Sequence, residues 1–135
     1  MRRESALKVL DELSVERVIA DDYNQEEFLR QARLEPGKRC GYCYRIRFLK
    51  AAQEAKKLGM KTYITTLTIS PWQDHRLMVF TGEMLSQYSK VKYQHFDFRY
   101  QYKNARTLTF QMKLYRQKYC GCLLSLEESL QEKEV

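Results

Sequence analysis

The four cysteines of this sequence form two closely spaced pairs, Cys40 with Cys43 and Cys120 with Cys122. A Cys-x-x-Cys spacing at the start of a helix places both sulfurs on one helical face. The helix N-terminus also favours the thiolate, which is the form that binds metal. Gly121 frees the backbone for a tight turn, so that the sulfurs of the second pair can point the same way. Two pairs with no cysteine left over predict one metal site that all four share.

Other interpretations of the cysteines stay open at this point. Four thiolates suit zinc as well as an iron–sulfur cluster. Cys40 and Cys43 could form a thioredoxin-like dithiol, although the second pair then has no role. The cysteines could also be inert and buried, but small apolar cysteines have no reason to pair at metal-ligand spacing.

The composition is that of a folded, basic protein. The chain has 135 residues, 44% hydrophobic and 30% charged, which fits one domain over residues 1–135 with a core of its own. Its net charge of +7 favours a polyanionic partner, above all nucleic acid, unless it only marks a solvated basic surface. No apolar run is long enough for a membrane span, and the first residues lack the apolar region of a signal peptide. We therefore expect a cytoplasmic protein whose cysteines bind metal or do redox work.

Aromatic and histidine residues give weaker indications. Tyrosines alternate with Arg and Lys in residues 98–106 and 113–119. This pattern is typical of surfaces for single-stranded RNA, and also of half-buried amphipathic surfaces. Trp72 could stack on a base or pack a helix onto a sheet. His75 and His95 have no cysteine or carboxylate at ligand spacing, so we expect them at the surface or at strand ends.

Strands and helices alternate along the sequence. Runs rich in β-branched residues predict strands, and apolar residues at helical spacing predict helices. The predicted strands are 15–20, 61–69 and 91–98, and the predicted helices are 1–13, 22–35, 40–58, 71–85, 103–117 and 123–130. This order predicts an α/β fold in which parallel strands form a sheet with helices on its faces. The chain opens on a helix that no strand precedes, so the first strand of the sheet is expected to be missing.

Polar residues and glycine predict where these helices begin and end. Asp21 or Asp22 would be the N-cap of the second helix. Ser70 and Pro71 resemble an N-cap followed by proline at the first helical position of the fourth helix. Gly59 would end the third helix.

Five longer strings occur in order along the chain. They are ADDYNQEEF (20–28), GKRCGYCYRIRFLKAA (37–52), YITTLTISPW (63–72), DFR (97–99) and LYRQKYCGCLLS (114–125). Together they cover most of the chain and resemble the cobalamin-independent epoxyqueuosine reductase family, QueH. The Arg-Cys-x-x-Cys-aromatic-x-x-Arg, Thr-Thr-Leu-x-x-Ser-Pro and Tyr-Arg-Gln-x-Tyr-Cys-Gly-Cys strings are specific as a set.

The resemblance implies an activity, a cofactor and partners. The family reduces epoxyqueuosine in tRNA to queuosine with an iron–sulfur cluster, expected here as 4Fe–4S, and an adjacent iron in place of cobalamin. The partners would be tRNA and an unidentified electron donor, without a membrane. The fold of the family is Rossmann-like, which implies a mostly parallel sheet with helices on both faces.

The resemblance also implies roles for individual residues. By motif match, all four cysteines would be metal ligands, and Asp22 is a candidate carboxylate ligand of the second iron. From the residues alone, Asp22 could equally be an ordinary helix cap. The matched motifs suggest a catalytic set of Asp22, Tyr115 and Arg116, and a substrate-binding set of Arg39, Arg47 and Gln117.

The start of the chain departs from the family pattern. Family members begin with a strand followed by an adjacent Cys-Cys pair, whereas this chain starts within the first helix, after both. It would then be a fragment or mis-called start of a complete enzyme, a short paralogue with another task, or a piece that needs a partner. We favour the first of these. A zinc- or cluster-stabilised RNA-binding module without catalysis remains the alternative function.

Overall fold

Helices dominate the computed structural model, which describes residues 1–132. The α-helices are α1 (Arg2–Glu12), α2 (Gln25–Leu34), α3 (Arg39–Lys57), α4 (His75–Ser89), α5 (Tyr102–Gln111) and α6 (Leu123–Gln131). The strands are β1 (Thr62–Tyr63) and β2 (Lys92–Tyr93), and 3-10 helices lie at Pro36–Lys38, Thr66–Ile69 and Arg99–Gln101. The α/β class is confirmed, with a small sheet. Over the described residues, no helix is both long and apolar enough to cross a membrane.

The chain divides into two units by its internal contacts. Unit 1 consists of Met1–Tyr23 together with Asn104–Val135, and unit 2 is the continuous stretch Asn24–Lys103. The boundary falls within the first turn of α5, so that this helix belongs to both. One domain over residues 1–135 stays a prediction.

The core of unit 2 lies between α3, α4 and the two strands. The ring of Phe48 on α3 lies 4.9 Å from the ring of Tyr93 and 6.2 Å from that of Tyr63. Burying a large apolar side chain such as Phe48 stabilises the folded state by about 1.5–3 kcal/mol. The buried core consists of Tyr44, Phe48, Ala52, Ala55, Tyr63, Met78, Leu85, Val91 and Tyr93.

The sheet of unit 2 is parallel and has two strands, with Thr62 opposite Lys92 and Tyr63 opposite Tyr93. On the other side of β2, the backbone N–H of Tyr93 donates to the hydroxyl of Ser86 on α4 at 2.7 Å. A helix side chain therefore satisfies the group that a third strand would otherwise bind.

The predicted strand at residues 15–20 is wrong. The structure places no strand there, and Val15, Val18 and Ile19 are about half exposed. An isolated extended segment has no ladder to satisfy its backbone groups and no sheet face to bury its side chains. The segment therefore has strand-forming residues without strand structure.

The predicted strands at 61–69 and 91–98 are much shorter in the structure. Within the first, the hydroxyl of Thr65 accepts from the backbone N–H of Leu67, and that of Thr68 donates to the carbonyl of Thr65. These local bonds turn the chain into the 3-10 helix Thr66–Ile69 and compete with strand pairing. The second run pairs only over Lys92–Tyr93, because its partner is no longer than that.

Two of the predicted helix starts are wrong. The side chain of Asn24, not Asp21 or Asp22, caps α2 by accepting from Glu27 N at 3.0 Å. The side chain of Asp74 caps α4 by accepting from Leu77 N at 2.9 Å, so the helix begins after Ser70 and Pro71.

The predicted end of α3 at Gly59 is confirmed to within one residue. Leu58 is the C-cap, and Gly59 follows it at φ +71°, a conformation that glycine adopts without strain. The helix predicted over residues 123–130 is also present, as α6.

Unit 1 is held together largely by polar contacts. Among its helices, α1, α5 and α6 contain no buried residue over the described range. The ammonium of Lys8 donates to the carbonyl of Met112 at 3.0 Å, and Tyr115 N donates to the hydroxyl of Ser5 at 3.1 Å. These bonds join the N-terminal helix to the segment that carries the second cysteine pair.

Candidate metal centre

The second cysteine pair lies on a tight turn in unit 1. Gly121 adopts φ +108°, and the sulfurs of Cys120 and Cys122 approach to 3.7 Å. Both cysteines are free thiols, the first exposed and the second half-buried. Two thiolates on one tetrahedral ion, with metal–sulfur bonds of about 2.3 Å, would be about 3.8 Å apart. The turn therefore holds the two sulfurs at the separation that a shared metal requires.

Residues of α6 fix the conformation of this turn. Cys122 is the N-cap of α6, and its sulfur accepts from Ser125 N at 3.4 Å. In return, the hydroxyl of Ser125 accepts from Cys120 N at 3.1 Å. The two bonds close the turn onto the first turn of the helix, as a capping motif does.

Arg2 of α1 holds the same turn from the other side. Its guanidinium donates to the carbonyl of Gly121 at 3.0 Å and to the side chain of Gln117 at 3.3 Å. It also lies over the ring of Tyr119, 5.8 Å from the centroid. Sequence reasoning missed Arg2, because nothing in the spacing links it to residues more than one hundred positions away.

The first cysteine pair lies at the start of α3 in unit 2, as predicted. Cys40 and Cys43 occupy the first turns of the helix that begins at Arg39. The first thiol is exposed and the second half-buried. The guanidinium of Arg47, one turn further along, donates to the sulfur of Cys43 at 3.3 Å. A cation therefore contacts this pair at the N-terminal end of the helix.

Buried Tyr44 anchors the helix turn that carries these cysteines. Its hydroxyl donates to the side chain of Gln73 at 2.6 Å and accepts from Asp74 N at 3.1 Å. Burial raises the pKa of Tyr44 to about 12, so the group is neutral at physiological pH. The bonds join the start of α3 to the loop before α4.

The predicted site residues divide between the two units. Unit 2 carries Arg39, Cys40, Cys43 and Arg47, and unit 1 carries Asp22, Tyr115, Arg116, Gln117, Cys120 and Cys122. Asp22 lies in the loop before α2 and does not cap it. Within either unit, over residues 1–132, no three His, Cys, Asp or Glu side chains gather where one ion could reach them all. The shared site of four cysteines stays a prediction.

A histidine pair in unit 2 was not predicted as a cluster. His75 Nδ1 lies 3.2 Å from His95 Nε2, and the hydroxyl of Tyr93 lies 2.9 Å from His95 Nδ1. Desolvation, and then the charge of His75, lower the pKa of His95. The histidines are twenty positions apart, so only the packing of α4 beside β2 brings them together.

The histidine pair borders an open cleft of about 430 Å³. At its rim, Arg99 donates both to Asp97 Oδ1 and to Asp97 Oδ2, at 2.9 and 3.0 Å. These bonds hold the pKa of Asp97 well below its usual range. The lining residues are His75, Arg76, Val79, Phe80, Glu83, His95, Asp97 and Arg99.

Comparison with known proteins identifies the family. A family model described as epoxyqueuosine reductase QueH matches residues 1–128. The chain belongs to the QueH family. The resemblance drawn from the five sequence strings is therefore confirmed.

Several curated QueH relatives, each named epoxyqueuosine reductase QueH, match along most of the chain. The protein of Dehalococcoides mccartyi is 31% identical over 124 residues, which is 92% of this chain and 68% of the relative. That of Thermotoga maritima is 31% identical over 137 residues, or 94% of this chain and 71% of the relative. The protein of Helicobacter pylori is 29% identical over 140 residues, which is 94% of this chain and 38% of the relative. The chain thus spans between 38% and 71% of the length of these relatives.

Proposed function

We propose that this chain is part of an iron–sulfur-dependent epoxyqueuosine reductase that acts on tRNA in the cytoplasm. The observation that carries the proposal is the presence of two close cysteine pairs, Cys40 with Cys43 and Cys120 with Cys122, in a chain of the QueH family. Relatives that align along most of this chain are named for that activity. The first pair, Cys40 and Cys43 at the start of α3, would supply the other two thiols.

The donor groups fit an iron–sulfur centre. Four thiols match the usual protein ligand set of a 4Fe–4S cluster. Such a centre carries negative charge, and the cations Arg2 and Arg47 already contact the turn and the sulfur of Cys43. Asp22 would offer a carboxylate oxygen, a ligand that suits an adjacent iron.

The proposed reaction removes the oxygen of the epoxide. Both carbon–oxygen bonds break, a carbon–carbon double bond forms, and two electrons and two protons convert the oxygen to water. An unidentified external donor would supply the electrons, since the four thiols of the chain would be bound to the metal centre. When bound, the cluster and its adjacent iron would relay electrons and polarise the epoxide oxygen.

The chain's own residues would bind and orient the substrate. Arg39 and Arg47 carry fixed positive charge next to the first cysteine pair, where they would bind tRNA phosphates. Tyr115 and Arg116 come four to five residues before the second pair, where the guanidinium of Arg116 would hold the modified base and the phenol of Tyr115 would donate a proton to the leaving oxygen. Gln117, bonded to Arg2, would bind the substrate beside them.

The test is anaerobic purification followed by a single-turnover assay. We expect brown protein that contains iron and acid-labile sulfide and, after reduction with dithionite, converts epoxyqueuosine in tRNA to queuosine. Mass spectrometry of the digested tRNA would show loss of one oxygen. Cys122→Ser should abolish colour and turnover, whereas Ser129→Ala, a hydroxyl deletion elsewhere on α6, should preserve both. Colourless protein with stoichiometric zinc would contradict the proposal.

A second function is an RNA-binding module stabilised by zinc or by a cluster, without catalysis. The same 3.7 Å separation of the Cys120 and Cys122 sulfurs favours it, because two zinc–thiolate bonds of about 2.3 Å on one tetrahedral ion would place the sulfurs at that distance. It predicts metal-dependent folding and salt-sensitive RNA binding, with epoxyqueuosine unchanged after dithionite reduction.

A further inference from the structure

Two aromatic side chains of unit 2 contact each other, one of them exposed and the other half-buried. The rings of Trp72 and Tyr102 meet edge to face, with centroids 5.2 Å apart and planes at 76°. Trp72 is 75% exposed, so it does not pack a helix onto the sheet. The indole of Trp72 therefore leaves a ring face open to solvent beside a second ring.

The backbone beneath Trp72 is fixed. Trp72 N donates to the hydroxyl of Ser70 at 3.3 Å, and the next two residues bond to buried Tyr44. Tyr102 begins α5 directly after the 3-10 helix Arg99–Gln101, which packs against the 3-10 helix that precedes Trp72. The exposed ring of Trp72 and the half-buried ring of Tyr102 thus lie on a scaffold that is already ordered, which lowers the entropic cost of binding.

The surroundings of the pair are basic. Tyr100, 74% exposed, and the exposed cations Arg99 and Lys103 flank Tyr102 in sequence. The acidic residues nearest in sequence are Asp97, which Arg99 binds, and Asp74, whose carboxylate caps α4. Unit 2 has fifteen Lys and Arg against seven Asp and Glu, a net charge of +8, whereas unit 1 has nine against ten.

We propose that Trp72 and Tyr102 form a stacking platform for single-stranded nucleic acid, with the exposed cation Lys103 next to Tyr102 available to its phosphates. Open aromatic faces beside cations bind unpaired bases, because every base presents a π-face and every linkage a negative charge. A net charge of +8 on unit 2 favours this polyanion over a protein partner. The inference deepens the proposed function, since it names the surface that holds the RNA substrate.

The test uses the fluorescence of Trp72, the one tryptophan of the sequence. Titration of the full chain with a single-stranded oligouridylate should quench its emission to saturation, with affinity falling as salt rises. Binding measured independently by anisotropy of labelled RNA should weaken about 5- to 150-fold in Trp72→Ala. Trp72→Phe should restore part of the loss.

Matched variants separate stacking from general effects. Tyr88→Ala removes an aromatic ring that is 79% exposed on α4 of the same unit, and should leave the affinity unchanged. Tyr102→Ala should weaken binding as Trp72→Ala does, with the far-ultraviolet circular dichroism of each variant confirming that it folds. An RNA duplex of equal length should bind more weakly and quench less.

Three outcomes would overturn the platform. They are unquenched emission on saturation with RNA, an unchanged affinity in Trp72→Ala, and preference for the duplex. A protein that reduces epoxyqueuosine without quenching would retain the proposed function and lose the platform. If RNA quenches Trp72 and Trp72→Ala weakens binding, but the protein does not reduce epoxyqueuosine, the platform is retained and the reductase is contradicted.

Discussion

Gly82 shows how a single missing side chain sets the packing of unit 2. A Cβ built at this position of α4 would lie 2.0 Å from the ring of Tyr93. The ring of a core strand residue thus lies directly on the helix backbone. Such close approach is a use of glycine that helix propensity alone opposes.

Gly82→Ala should therefore lower the free energy of unfolding by about 1–3 kcal/mol, because overpacking outweighs the gain in helix propensity. Urea denaturation followed by circular dichroism would measure it. Gly41→Ala is the control, since its Cβ meets only Leu77 at 3.7 Å. That variant should match the parent or gain up to about 1 kcal/mol. Equal stability of the two variants would refute the packing argument.

Two tyrosines of the core differ in the bonding of their hydroxyls. Among the described residues, the buried hydroxyl of Tyr63 has no hydrogen-bond partner, whereas that of Tyr93 bonds His95. Tyr63→Phe should leave the free energy of unfolding unchanged or raise it by about 1 kcal/mol. Tyr93→Phe should lower it by about 0.5–1.5 kcal/mol. Thermal melts would then show a lower melting temperature for Tyr93→Phe and no loss for Tyr63→Phe, and a larger loss in Tyr63→Phe would count against the assignment.

At the scale of elements, α4 begins at a single side-chain cap. Asp74 accepts from Leu77 N, and its own N–H bonds the hydroxyl of Tyr44. Asp74→Ala should cost about 0.5–2 kcal/mol of stability. Denaturant midpoints would be compared with those of Ser70→Ala, which changes the residue predicted as the cap. A greater loss in Ser70→Ala would show that the helix start had been assigned to the wrong residue.

Sequence patterns predicted helices better than strands in this chain. The spacing of apolar residues in α3 is local, and so is the end signal at Gly59, so both could be predicted. Whether Val15–Ile19 pair into a sheet depends on a neighbour that no local pattern contains. Thr65 and Thr68 have high strand propensity, but their hydroxyls bond the nearby backbone instead.

The candidate site was predicted where its chemistry is local in sequence. The two cysteine pairs could be recognised from spacing, and the structure confirms a tight turn at one and a helix start at the other. Arg2 and the pairing of His75 with His95 arise from contacts between distant segments. Such contacts have no signature in a single sequence.

At the scale of the whole molecule, three buried phenols link stability to alkaline pH. Burial raises the pKa of Tyr44, Tyr63 and Tyr93 to about 12 each, above the ordinary value of about 10. The same hydroxyls ionise near pH 10 in the unfolded chain, before they ionise in the folded state. The stability that these groups contribute is therefore complete below pH 10 and is lost progressively as pH rises toward 12.

These tyrosines should therefore leave the denaturant midpoint of the protein independent of pH below pH 10. Above pH 10 the midpoint should fall, with tyrosinate absorbance rising as the chain unfolds. The triple change of these residues to Phe would remove the alkaline transition if it folds. Tyr63→Phe alone should make the fall of the denaturant midpoint above pH 10 less steep. An unchanged profile in Tyr63→Phe would contradict the assigned origin.

The division into units has a consequence for synthesis on the ribosome. Unit 2 is continuous and complete once Lys103 has left the exit tunnel, whereas Met1–Tyr23 must await the segment that begins at Asn104. The bonds that join Arg2, Ser5 and Lys8 to the C-terminal part of unit 1 close loops of more than one hundred residues, which is entropically costly and slow. Nascent chains should therefore acquire protease resistance in the basic middle segment before the second cysteine pair gains its geometry.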